Sequence, residues 1–260
     1  MSLRFSSLYA SAYDLLNEGK PYKDEIDLVQ ALHARYCGSA ENLRSILDLG
    51  CGSGLHLSNF ADDIRKTGVD LSDSMLQLAR SRNIPKSEFI FSHVSDFHSS
   101  AKFDLIYSLF HVISYQVEVT DLTNTLLTIQ RNLEVGGLAV FDFWHRAAWD
   151  ADPPVTRMTT KVGSALKVKR ISSPKVDYVS GLVAIDMDIF INQSDSKDDS
   201  TYIHFSEHHE MRAYTLQELN FASTLAGLKV VGSGPWMTTE RELTSNDWYG
   251  WMALQKTAPA

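Results

Sequence analysis

Cysteine is scarce in this chain: Cys37 and Cys51 are the only two in 260 residues. They form no CxxC pair and no zinc spacing, which excludes a disulfide scaffold and points to a reducing, cytoplasmic setting. Long apolar runs are missing as well. Nothing approaches the roughly 20 apolar residues of a membrane span, and polar residues interrupt residues 1–8 too often for a signal-peptide core. A soluble protein with no membrane partner is expected. Positive charge is the third shortage. Twenty-four Lys and Arg stand against 32 Asp and Glu, a net charge of −8 at pH 7, and there is no basic block. Such a chain is poorly suited to gripping phosphate backbones, so nucleic acid is not an expected partner. With 44% hydrophobic residues the chain has ample material for one large domain, or for a domain with an insert.

Between Ser45 and Phe143 short apolar runs alternate with helical patterns. Ser45 to Leu49, Gly68 to Leu71, Glu88 to Ser92, Phe103 to Ser108 and Leu138 to Phe143 read as five strands. Leu122, Leu126, Ile129 and Leu133 recur at spacings of four, three and four. They predict a helix over 121–133, stopped by Gly136-Gly137. Ser72 is placed to cap another helix, with Met75, Leu76 and Ala79 facing inward. Such alternation predicts a parallel sheet covered on both faces. Beyond Phe143 the rhythm changes. Residues 179–191 and 201–214 read as long antiparallel strands, with the polar tract 192–200 as a hairpin loop. A helix over 215–226 and strands over 228–231 and 248–256 complete the chain. The first 40 residues read as helical, with Ile26, Val29, Leu32, His33 and Tyr36 on one face.

The most informative stretch is Asp48-Leu49-Gly50-Cys51-Gly52-Ser53-Gly54, after the first strand and before a helix. Glycines there permit a tight turn and close approach of a ligand to the backbone. Asp70, twenty-two residues after Asp48, ends the next strand, where a carboxylate accepts ribose hydroxyls. A pyrophosphate-binding loop wants its third glycine one residue later, and the Asp48 carboxylate would repel a phosphate. S-adenosylmethionine carries an ammonium and a sulfonium and no phosphate, so an acidic loop suits it.

These residues carry a resemblance. Ile46 to Gly54 resembles motif I of the class I S-adenosylmethionine-dependent methyltransferases, and Val69-Asp70-Leu71-Ser72 with Met75 and Ala79 resembles their second-strand motif. Ser95-Asp96-Phe97, Phe103 to Ser108 and Leu133 to Leu138 match their later motifs in order. A narrower similarity runs along most of the chain, to the nucleotide-aminosugar N,N-dimethyltransferases. It rests on Tyr13-Asp14-Leu15-Leu16, Gly19-Lys20 and Tyr22, on Ser108-Leu109-Phe110 followed by Tyr115, and on His204-Phe205-Ser206-Glu207 with Tyr214-Thr215. The chain departs from that family on the acceptor side. Tyr115 stands where the family has a histidine, and Pro235 to Glu242 replaces a glycine-rich segment.

The resemblance implies an α/β fold: a doubly wound seven-stranded Rossmann-like sheet with an antiparallel β insert between strand five and the last helix. It divides the chain into an N-terminal helical lid over 1–40, a cofactor-binding domain over 41–144 plus 215–260, and an insert over 145–214 covering the acceptor site. Asp48, Gly50, Gly52 and Gly54 are expected at the methionine moiety, Asp70 at the ribose, and Asp96, Phe97, Leu71 and Met75 at the adenine. Tyr13, Tyr22 and Ser108 complete the expected cofactor contacts, with the tyrosines on the lid. Tyr13, His111 and Tyr115 are the candidate catalytic residues. His111 and Tyr115 would share one face of a short helix after strand four, with Trp144 near the pocket. The expected partner is a small-molecule acceptor, with a homodimer allowed for. The favoured reaction is N-methylation of an amino sugar nucleotide or related metabolite. Small-molecule or sugar O-methylation and cofactor binding without catalysis are the alternatives. The cluster His204, Glu207, His208, His209 and Glu210 is not read as a metal site. On a strand its members alternate between faces.

Overall fold

The computed structural model describes residues 7–38, 43–193 and 202–256. Among these residues the chain forms two compact units. One comprises residues 1–20 with 154–211, and the other residues 21–153 with 212–260. The expected division falls elsewhere. The first 40 residues are not one segment: the opening helix belongs with the insert, and the second helix with the larger unit. No helix among the described residues is long and apolar enough to cross a membrane.

The smaller unit pairs helix α1 (Ser7–Leu16) with four strands, β6 (Arg157–Val162), β7 (Leu166–Asp177), β8 (Leu182–Gln193) and β9 (Ile203–Arg212), in sheet order β6-β7-β8-β9. Twelve antiparallel pairs from Leu166↔Gln193 to Asp177↔Leu182 join β7 to β8. The strand expected from Val179 starts at Leu182 instead. Val179 is 96% exposed at the tip of a turn built by Asp177, whose Oδ1 accepts from the Val179 N–H and Oδ2 from the Ser180 hydroxyl. Gly181 closes that turn with φ +76°. The hairpin expected over 192–200 lies mostly outside the described residues. Tyr9 meets Tyr13 edge-on on α1 and accepts from Arg170 on β7.

The larger unit begins with α2 (Tyr22–Cys37) and continues through β1 (Ser45–Leu49), β2 (Arg65–Asp70), α3 (Asp73–Ser81), β3 (Ser87–Phe91), β4 (Phe103–Ser108), α4 (Val119–Asn132) and β5 (Leu133–Trp144). After the insert come α5 (Leu216–Leu225), β10 (Leu228–Pro235) and β11 (Tyr249–Lys256). The seven strands run β10-β11-β5-β4-β1-β2-β3. β3, β2, β1, β4 and β5 are parallel, and β11 is antiparallel to both its neighbours, β5 and β10. β1 is buried at all five positions because helices cover both faces of the sheet. Leu47, Leu49, Ile106 and Phe141 pack with α4, while Ile46, Leu105, Tyr107 and Val140 pack with α2. Ser72 caps α3 by accepting from the Met75 N–H, and Thr215 and Glu218 form a reciprocal capping box on α5.

Gly136-Gly137 does not stop α4. The helix ends at Asn132, Leu133 is already extended, and both glycines lie inside β5. Gly136, at φ +80°, bends the strand where its pairing with β4 slips, between Phe103↔Leu133 and Leu105↔Leu138.

Candidate active site

β1 sits where the chain's winding reverses, with β2 on one side and β4 on the other, so the loops after these strands open a crevice at one sheet edge. On the β2 side the glycine loop is held by its backbone. Gly50 and Cys51 both donate to the Val69 carbonyl, at 2.8 and 2.9 Å. Gly50, Gly52 and Gly54 have φ of +85°, +51° and +78°, a region that L side chains rarely adopt. Asp70 completes the loop: its Oδ2 accepts from the Gly52 N–H and its Oδ1 from the Ser72 N–H, each at 2.8 Å. Burial raises the Asp70 titration against the pull of these amides.

Asp48 is 1% exposed, and its carboxyl faces the Tyr107 hydroxyl. Burial pushes that carboxyl well above the usual range against the lowering pull of the hydroxyl, and the Asp70 charge adds to the rise. A buried acceptor of this kind, beside a second carboxylate, fits a ligand that brings an ammonium and a positive charge. It does not fit a phosphate. Leu71 follows Asp70 with 57% of its surface exposed, an apolar surface beside that carboxylate. Asp96 is exposed and bonds to the Ser95 hydroxyl at 3.1 Å.

Four of the residues expected at the cofactor also make contacts within the protein. Met75 faces the core, as the inward pattern of α3 required, and the Phe97 side chain lies in the core cluster. Ser108 Oγ donates to the Leu49 carbonyl at 2.8 Å and ties β4 to β1. Tyr22 heads α2 and meets His56 edge-on at 4.9 Å. His56 Nε2 lies 2.7 Å from Glu25 Oε2, and both side chains are buried in the same unit. Glu25 and His56 thus fasten α2 to the segment after the glycine loop. Their spacing in sequence gave no sign of the pairing. Tyr13 is the one predicted site residue carried by the smaller unit.

On the β4 side the chain turns sharply. Phe110 and His111 both sit in the left-handed region, at φ +66° and +65°. A 3-10 turn then spans Val112 to Tyr115. The expected shared face of His111 and Tyr115 is therefore not formed. His111 precedes the turn, and three residues per turn, unlike an α-helix, do not stack positions four apart. Asp142 on β5 holds His111 instead. Its Oδ1 accepts from the His111 N–H at 2.9 Å, and its Oδ2 lies 2.7 Å from Nδ1. Tyr249 stacks on the His111 ring at 4.7 Å and 14°, and Trp144 lies tilted at 5.9 Å. Register explains the pair, since Tyr249 opens β11 opposite Trp144, the last residue of β5. Trp144 Nε1 is buried with no hydrogen-bond partner among the described residues. Asp142 and Tyr249 were not singled out from the sequence; only the alternation along β5 and the aromatic start of β11 hinted at them.

Gly50 joins the two sides. A Cβ at Gly50 would lie 2.5 Å from a Val112 methyl, so the cofactor loop and the turn after β4 are in direct contact.

On β9, His204 and His208 face one way and pair with Asp188 and Asp186, while Glu207 and His209 are buried together on the other face. Among the described residues no group of side chains is arranged to hold a metal ion.

Residues 46–137 match the model of a methyltransferase domain. The chain is 29% identical over 230 residues to a dTDP-3-amino-3,4,6-trideoxy-alpha-D-glucopyranose N,N-dimethyltransferase of Streptomyces venezuelae, spanning 85% of this chain and 90% of that one. It is 26% identical over 229 residues to a dTDP-3-amino-3,6-dideoxy-alpha-D-glucopyranose N,N-dimethyltransferase of Streptomyces fradiae, spanning 87% and 86%. A solved S-adenosylmethionine-dependent methyltransferase from Clostridium acetobutylicum shares the fold, with a TM-score of 0.78 at 20% identity over 96% of this chain and 98% of that one.

Proposed function

We propose that this chain, an S-adenosylmethionine-dependent methyltransferase resembling the nucleotide-aminosugar N,N-dimethyltransferases, methylates the amino group of a nucleotide-linked amino sugar. The observation that carries this reading is the length of the similarity. The two Streptomyces relatives align beyond the cofactor motifs and along most of both chains, and each is named for a dTDP-linked amino sugar.

The cofactor supplies an electrophilic methyl group on a sulfonium. The remaining work belongs to side chains of this protein. Asp48 and Asp70 would hold the cofactor's charged and ribose ends, and Leu71 would support its adenine. The Phe110–Tyr115 turn would carry the acceptor, because its contact with Gly50 brings it against the cofactor loop. Holding two reactants at attack distance is worth roughly 7 kcal/mol or more, the main contribution expected for an in-line displacement.

A panel assay tests this reading. The purified protein is incubated with S-adenosylmethionine and, separately, dTDP-linked 3-amino sugars, 4-amino sugars and their hydroxyl counterparts, and products are weighed by mass spectrometry. One or two methyl groups on an amino sugar, with none on its hydroxyl counterpart, is the expected result. Methylation of the hydroxyl sugars alone would instead establish the O-methyltransferase alternative, which a histidine beside a buried carboxylate also suits.

A further inference from the structure

We propose that His111 and Asp142 form a proton-accepting pair that takes a proton from the acceptor's ammonium before each methyl transfer; the inference rests on the amine reading above. Asp142 is 1% exposed, and both its oxygens address one residue, the His111 N–H and the His111 Nδ1. The Nδ1–Oδ2 approach is an ion-pair contact without ring hydrogen-bond geometry; the carboxylate charge beside Nδ1 favours the ring hydrogen there and Nε2 as the acceptor. The His111 side chain is 17% exposed, so the ring is not sealed in the core. The backbone points the same way. Two successive non-glycine residues, Phe110 and His111, are held in a sparsely populated conformation. Such strain persists where surrounding contacts over-determine it, and it collects at functional sites. Here the contacts are the Asp142 carboxylate and the Ser114 hydroxyl, which accepts from the Trp144 N–H at 3.1 Å. The groups packed on the ring are Asp142 and Trp144 from β5, Tyr249 from β11 and Phe110 from its own turn. Asp142 and Tyr249 are the titratable ones.

The chemistry requires such a group. A sugar amine is mainly ammonium at neutral pH and has no lone pair with which to attack. His111 Nε2 takes one proton, leaving a neutral amine and an imidazolium. The amine lone pair then forms the new C–N bond while the C–S bond breaks, its electron pair staying on sulfur. The methylated product is again an ammonium, and the imidazolium passes its proton to solvent. Each transfer therefore releases one proton, and a second methylation repeats the cycle.

The test is the pH dependence of kcat/KM for an amino sugar nucleotide that the enzyme turns over, in wild type, His111→Gln and Asp142→Asn. An amine titrating near about 8 is roughly 1% neutral at about pH 6. His111→Gln should therefore lose several-fold at that pH and return to near wild-type rates at about pH 9.5, where the amine is already free. Asp142→Asn keeps an oxygen for the His111 N–H but presents an amide donor to Nδ1, which puts the ring hydrogen on Nε2, so it should reproduce the low-pH loss. Unchanged S-adenosylhomocysteine binding by calorimetry shows that each variant is folded. A loss of equal size at every pH, or no loss in His111→Gln, would overturn the proposal. If wild type methylates hydroxyl sugars and no amine, the amine reading itself fails, and the proposal with it.

Discussion

The two sides of the crevice are built on different principles. The β1–β2 side is local. Its carboxylates and glycines lie on one strand, its loop and the next strand, and backbone N–H groups do most of the holding; the helix expected after Gly54 is only a 3-10 turn, Leu57–Asn59. The β4–β5 side is assembled from three distant stretches: Phe110 and His111, Asp142 and Trp144, and Tyr249. The first side fits a ligand that does not vary among enzymes of one cofactor. The second can be changed one side chain at a time without disturbing the first. Gly50 is where they meet, and substitutions there and on either side separate the two roles.

The largest effect is expected at that junction. Gly50→Ala puts a methyl group 2.5 Å from Val112 at a φ of +85°. It should cost about 2–4 kcal/mol of stability and impair cofactor and acceptor binding together. Thermal melting and calorimetry check this; a variant with wild-type stability would show that the turn after β4 yields freely.

A smaller and one-sided effect is expected at Trp144. Trp144→Phe keeps the ring and removes the N–H that has no partner among the described residues. If the acceptor supplies that partner, its KM should rise about five- to tenfold, by roughly 1 kcal/mol or slightly more. Steady-state kinetics with a fixed saturating cofactor read this directly, and an unchanged KM would take the indole N–H out of acceptor recognition.

The smallest effect concerns Asp48. Its titration is raised in the folded state, so its contribution to stability is present below the unfolded value and lost as pH rises through the folded one. Asp48→Asn removes that loss. Without ligand, the variant should melt higher than wild type by about 2–4 °C per kcal/mol recovered, with the gap widening as pH rises. It should also bind S-adenosylmethionine less tightly, since the carboxylate no longer meets a cation. Melting curves across pH check the sign; a gap that narrows at higher pH would contradict it.

The same difference in construction decided what the sequence made legible. The seven-stranded sheet could be read because β1, β4 and the end of β5 carry apolar runs and α3 and α4 show helical periodicity between strands. The Asp48–Gly54 loop could be read because its residues are contiguous. β6 and β7 were not read. Their faces carry Lys, Arg, Ser and Thr between single buried positions such as Val168, and no apolar run announces them. Gly136-Gly137 reads as a helix stop in sequence, but the pair equally serves the bend it makes inside β5. Met75 and Phe97 are buried, and apolar residues at motif positions serve the core as well as a ligand. Asp142 was invisible as a partner of His111. Thirty-one residues separate them, and only the return of the chain after β4 brings that backbone N–H to the carboxylate.

S-adenosylhomocysteine affinity, measured by calorimetry in Asp70→Ala and in Trp144→Phe, tests the separation of the two sides most directly. Asp70 holds the glycine loop through Gly52 and is proposed to take the ribose, so Asp70→Ala should lose about a hundredfold, near 2.7 kcal/mol. Trp144→Phe should stay within about twofold of wild type, because the indole belongs to the acceptor side. Equal losses in the two variants, or full affinity in Asp70→Ala, would contradict the account.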